Sequence, residues 1–239
     1  QQLSQDWHAD YQDSHKADGL ILLGYGDYLV ARSKLEKLES QGTHFVRWGA
    51  VVEGQPGLSV GCDNVQGARD LCEHLLRLGH RRIAFLGNAT EHCPEFRDRC
   101  EGYRQALRAA GIAVDPALHG DATDSTEEVG RQAMAQLLER GAKPDAVLAA
   151  SDLLAIGAIH TLESAGISVP GDVAVAGFDD IPMARLTTPA LTTVQQDTTR
   201  AGEVLVERLL QRIRGEPATS EMLPARLVIR RSCGADGGS

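Results

Sequence analysis

The sequence predicts an α/β protein built on doubly wound parallel sheet, and three observations carry that prediction. Short, nearly continuous apolar runs recur along the 239 residues, amphipathic stretches of helical period fall between them, and a glycine closes most of those stretches. A strand covered by helices on both faces must be apolar on both, whereas a helix lying on a sheet needs only one apolar stripe. Alternation of the two patterns is what strand–helix units wound on a parallel sheet produce.

Taken in order, strands are expected at 19–24, 44–48, 58–62, 82–87, 146–150, 173–178, 191–194 and 227–230, most of them bounded by Gly, Pro or Asp. The stretch 65–78 sets Ala68, Leu71, Cys72, Leu75 and Leu76 on one stripe before Gly79 stops it. Residues 99–110 place Tyr103, Ala106 and Leu107 inward and end at Gly111. Helices at 127–140, 153–165 and 198–214 end at Gly141, Gly166 and Gly215. A single strand–helix–strand unit precedes Leu58, too little for a lobe that the helix from Thr198 could complete. The natural protein is therefore expected to extend upstream by one or two such units. A flexible tail is expected over 234–239.

Composition narrows the function. Hydrophobic residues make up 42% and charged residues 24%, the balance of an ordinary globular protein. No apolar run approaches the roughly 20 residues of a membrane span, and Gln1-Gln2-Leu3-Ser4 is too polar for a signal peptide, so a cytoplasmic protein without a membrane partner is expected. Cys62, Cys72, Cys93, Cys100 and Cys233 form no CxxC pair, which argues for reduced, free thiols rather than zinc or a redox dithiol. The formal charge of −9, with basic residues scattered apart from the cluster Arg77–Arg82, argues against nucleic acid being gripped by this surface.

Catalytic patterns are missing. Gly24-Tyr25-Gly26 lacks the third glycine of a dinucleotide fingerprint, and no GxSxG, P-loop or HExxH occurs. His92-Cys93 reads as a loop pair. Gly177-Phe178-Asp179-Asp180 sets paired carboxylates at a strand's carboxyl end, without a further nearby ligand for a metal, and reads as a polar anchor for a ligand. Neither an enzyme nor a cofactor is expected.

The ordered motifs then carry a resemblance. Asp63-Asn64, the run from His74 through Leu78-Gly79-His80-Arg81-Arg82-Ile83-Ala84-Phe85-Leu86-Gly87, and Arg99 followed by Gly102-Tyr103 and Ala106-Leu107 come first. Ser151-Asp152 with Ala155 and Gly157-Ala158, Val169-Pro170, Gly177-Phe178-Asp179-Asp180, Leu191-Thr192-Thr193-Val194 and Arg230-x-Ser232 follow. Together they resemble the LacI/GalR family of transcriptional regulators over roughly residues 17–232.

That resemblance implies two lobes like those of periplasmic binding proteins, with a small effector, a sugar or sugar derivative, held in the cleft between them. The first lobe, incomplete in this chain, would take 1–61 and 195–222, and the second 62–194 and 223–233. It further implies a homodimer and operator binding through a helix-turn-helix domain outside this chain. An exported sugar-binding protein of a transporter is the alternative on the same fold.

By position, Arg99 matches the family's effector-binding arginine, a planar fork suited to vicinal hydroxyls or a carboxylate. Asp179 matches the carboxylate that accepts from sugar hydroxyls, and Trp48 the aromatic that stacks on a sugar. Gln196 falls at the third crossover between lobes. Two positions depart from the pattern: Arg47 stands where many members carry aspartate, which favours an anionic effector, and Ser151 replaces the usual asparagine. Ala122 stands where some members present an aromatic and implies a roomier pocket. Substitution of Arg99 or Asp179 is expected to remove binding while sparing the free protein's stability.

Overall fold

A computed structural model describes residues 17–24 and 27–235. Tyr25 and Gly26, the start of the chain to residue 16 and the end of the expected tail, 236–239, lie outside the described residues. In chain order the elements are β1 (Leu20–Leu23), α1 (Tyr28–Ser40), β2 (Phe45–Trp48), β3 (Leu58–Cys62), α2 (Asn64–Arg77), β4 (Ile83–Leu86), α3 (Pro94–Ala109) and β5 (His119–Gly120). They continue with α4 (Glu127–Glu139), β6 (Ala146–Ala149), α5 (Asp152–Ser164), β7 (Ala174–Ala176), β8 (Thr193–Gln196), α6 (Thr198–Ile213), β9 (Glu221–Leu223) and β10 (Ala225–Val228).

The chain folds as two compact units. The smaller comprises the residues through Cys62 together with Asp197–Leu223, and the larger Asp63–Gln196 together with the residues from Pro224. The smaller unit has a four-stranded, all-parallel sheet in the order β1-β2-β3-β9. Successive strand residues face opposite ways, and this sheet uses both faces. Phe45 packs with Tyr28, Leu35 and Leu38 of α1, while Val46 and Val60 pack with Ala201, Val204 and Leu205 of α6. Apolar runs rather than alternating ones are the consequence.

The larger unit is built on a parallel sheet in the order β5-β4-β6-β7. Bridges from Ala176 to Thr192 and from Asp179 to Gln195 carry the parallel pairing onward to the segment of β8. β8 itself pairs antiparallel with β10, Gln196 opposite Ala225 and Thr193 opposite Val228. Its helices pack in pairs, α2 on α3 and α4 on α5. Both pairings need a glycine where the axes approach: a Cβ on Gly102 would lie 2.1 Å from the Val65 carbonyl oxygen, and one on Gly157 2.1 Å from that of Glu127.

The helix ends expected from glycine are present, since Gly79, Gly111, Gly141, Gly166 and Gly215 all carry positive φ after their helices. Other boundaries moved. α3 begins at Pro94, five residues before the expected start, because proline at a first helical position needs no partner for its missing N–H and Glu95 complements the helix dipole. β8 and β10 are each displaced by about two residues from the apolar runs that announced them, because register between partners sets their ends. β5 and β9 were not expected at all. The thiols are free; all but the half-buried Cys93 are buried, and burial pushes Cys72 up to about 12 and Cys100 to about 11, so both stay protonated. No helix among the described residues is long and apolar enough to cross a membrane.

Candidate ligand-binding site in the larger unit

The site grows from three places where the fold turns at a strand's carboxyl end. Asn64 opens α2 after its cap Asp63, Arg99 projects from the second turn of α3, and Asp179 follows β7. Arg99 is almost wholly buried. Its Nε donates to Asn64 Oδ1 at 2.8 Å and its Nη1 to the Ala150 carbonyl at 2.5 Å. The same Nη1 lies 3.1 Å from Asp179 Oδ1, and the guanidinium carbon sits 3.8 Å from the centre of the buried Phe178 ring. A planar cation stacked on a ring and bonded at its edge is held in one orientation.

Asp179 and Asp180 are non-glycine residues at φ of 114° and 52°, where side chains rarely sit. Gln196 Nε2 donates to Asp179 Oδ1 at 2.6 Å. Burial pushes the Asp179 carboxyl above the ordinary aspartate range, while Arg99 and Gln196 pull it back. The result is an acceptor fixed between two donors, which brings Arg99, Asp179 and Gln196 together.

Ser151 is used differently. It caps α5, accepting from Leu154 N at 3.4 Å, and receives a hydrogen bond from Ser125 Oγ at 2.7 Å. It neighbours Ala150, whose carbonyl Arg99 takes, so the hydroxyl lies in the same loop as the site. Ala122 is buried. Trp48 and Arg47 belong to the smaller unit. Trp48 packs against its core of Val46, Val60, Ala201, Val204, Leu205 and Leu223. Arg47 is fully buried there, its Nη2 donating to Gln55 Oε1 and, at 2.6 Å, to Ser59 Oγ, with Tyr28 5.8 Å beneath the guanidinium.

Three participants were missed. Phe178 read as strand core and Asn64 as part of a motif, and only their position beside Arg99 gives either a role. A third, Asp152, holds the loop: it accepts from Thr193 Oγ1 at 2.5 Å and from Ile181 N at 2.9 Å. Desolvation raises its carboxyl to about 7, although both donors pull the other way. Between about pH 4 and 7 the folded chain thus holds a proton that the unfolded chain has released. Stability from this group is full below the unfolded value and is lost as pH rises through about 7, with a slope of at most about 1.4 kcal/mol per unit. Asp152→Asn should remove that component of the pH dependence in urea titrations from about pH 4 to 7. An unchanged slope would refute it. Among the described residues no cluster of His, Cys, Asp or Glu could hold a metal ion.

Comparison with known proteins gives a consistent picture. Residues 72–233 match the model of the periplasmic binding protein-like domain. The chain is 41% identical over 172 residues to the HTH-type transcriptional regulator CelR of Thermobifida fusca, covering 71% of this chain and 48% of the relative. It is 36% identical over 176 residues to the HTH-type transcriptional repressor CytR of Escherichia coli K12, covering 73% and 51%. Among solved structures, a transcriptional regulator CelR–cellobiose complex superposes with a TM-score of 0.83 at 34% identity, over 93% of this chain and 68% of that one. The chain spans about half the length of these two curated relatives.

Proposed function

Because the chain belongs to the periplasmic-binding-protein-like domains of the LacI family of transcriptional regulators, we propose that it is the effector-sensing part of a repressor controlled by a sugar. The observation that carries this reading is the Arg99–Asp179–Gln196 cluster, a fixed fork beside a fixed acceptor. Such a pair suits the neighbouring hydroxyls of a sugar, one group donating and the other accepting. A complex of a related regulator with cellobiose supports a saccharide as the ligand class.

We assign a neutral sugar rather than an anionic one, because the Arg99 charge is met by Asp179 at 3.1 Å and Arg47 is fully buried in the smaller unit, bonded to Gln55 and Ser59. Operator binding is assigned to a helix-turn-helix part of the whole protein, in keeping with the net charge of −9 on these residues. The working form is assigned as a homodimer. Control then requires the sugar to bind one state of the regulator better than the other, typically by about 1–3 kcal/mol.

Titration calorimetry of this chain against neutral monosaccharides, cellobiose and other disaccharides, and phosphosugars tests the reading. Saturable binding is expected from a neutral member of the panel. Binding confined to phosphosugars would overturn the assignment of charge, and silence across the panel would overturn the saccharide.

A further inference from the structure

Beside the cluster that faces the ligand lies a second set of charges that the proposed function leaves unused. The Asp180 side chain has almost no exposure. Arg230, near the chain's end, donates through Nη2 to Asp180 Oδ1 at 2.6 Å and through Nη1 to the Leu191 carbonyl at 2.8 Å. Gln195 Nε2 takes the other oxygen of Asp180 at 2.9 Å, and Arg226 Nη2 in turn holds Gln195 Oε1 at 2.7 Å. Arg230 is itself tied down: its N–H donates to Thr192 Oγ1, and its carbonyl accepts from the same hydroxyl. Two residues on, Ser232 Oγ donates to the Val175 carbonyl of β7.

The adjacent carboxylates of Asp179 and Asp180 are therefore served by different arginines, Arg99 for one and Arg230 for the other. Both aspartates occupy left-handed backbone, and both of their charges help to raise the buried Asp152 carboxyl beside them. Without a cation on Asp180, repulsion among these acids and the unfavourable φ values act in the same direction, turning the dipeptide out of place.

We propose that Arg230, acting through Asp180, is a positioning residue of the ligand site: it holds the Asp179–Asp180 dipeptide in the conformation that sets the Asp179 carboxylate against Arg99 and Gln196. The link to ligand rests on the proposed function, in which Asp179 meets the sugar; the positioning itself does not. The experiment therefore uses the ligand-free chain, so that failure of the sugar panel and failure of this proposal are distinguishable.

NMR of the wild type, Arg230→Met and Arg230→Lys would follow the side-chain amide of Gln196 and the carboxyl titration of Asp179, with the amides of α4 and β6 as remote references. In Arg230→Met the Gln196 side-chain amide is expected to exchange about tenfold faster, and the Asp179 titration to fall toward the ordinary aspartate range, while the references keep their protection. Lysine, which can reach one oxygen but lacks the fork, should restore part of both signals. Unaltered Gln196 and Asp179 signals in Arg230→Met would overturn the proposal. So would loss of protection in α4 and β6 in step with Gln196, which would make Arg230 a general staple of the unit.

Discussion

Arg99→Ala should weaken sugar binding sharply and also destabilise the unliganded chain. Sequence reading expected the first effect without the second. The structure joins them, because the guanidinium that would meet the ligand also bonds Asn64 and the Ala150 carbonyl, pairs with Asp179 and covers Phe178. Its removal strands a carboxylate whose other acidic neighbours, Asp152 and Asp180, are close at hand. The Asp179 side chain keeps 26% exposure, so breaking this pair from one side costs about 2 kcal/mol, below the figure for a fully buried pair. The same truncation should weaken any ligand held by the fork by about 30-fold or more. Arg99→Lys keeps the charge but not the planar edge, and should fall between. Urea unfolding and calorimetry on the same samples decide the matter: an alanine variant that unfolds with the wild type, or binds as tightly, would show that the contacts around Arg99 carry little.

Gly102→Ala should be among the most damaging small substitutions in the larger unit. The new Cβ would meet the Val65 carbonyl oxygen at 2.1 Å, the Arg69 nitrogen at 2.9 Å and the Val65 carbonyl carbon at 3.0 Å. All three are backbone atoms of α2, so no flexible side chain can swing aside, and α3 must move bodily. That shift would open the interface between α2 and α3, in which Leu71, Cys72 and Leu75 of one helix and Cys100 and Tyr103 of the other are all essentially buried, and strain the hydrogen bond from the Tyr103 hydroxyl to the Ile83 carbonyl. A loss of about 3 kcal/mol is expected, at the upper end of overpacking costs. Gly202→Ala is the control. It lies in α6, where a Cβ meets nothing within 4 Å, and should gain about 0.5–1 kcal/mol from helix propensity. Should Gly102→Ala unfold at the same urea concentration as the control, the account of the α2–α3 contact would be wrong.

How far the sequence could be read varies by element. β2, β4 and β6 were plain because helices cover both faces and every residue must be apolar or paired. β5 spans two residues and β9 three, each at the end of its sheet, too short for any pattern to declare itself. Arg99, Asp179 and Gln196 came from the family resemblance, and the structure joins them. Trp48 and Arg47 came from the same source, and there the structure adds roles inside the smaller unit: an indole on its core and a buried guanidinium held by Gln55 and Ser59.

What the sequence by itself determined was the α/β architecture, the order of its units and the glycine-ended helices. Those features follow from periodicity and backbone sterics, which act over a few residues and leave a local trace. What only the tertiary structure decided was the company each polar group keeps. Arg99 meets Asn64 across 35 positions and the Ala150 carbonyl across 51, and Arg230 meets Asp180 across 50. A buried charge must find its partner wherever the chain happens to return, and the spacing along the chain carries no mark of where that is.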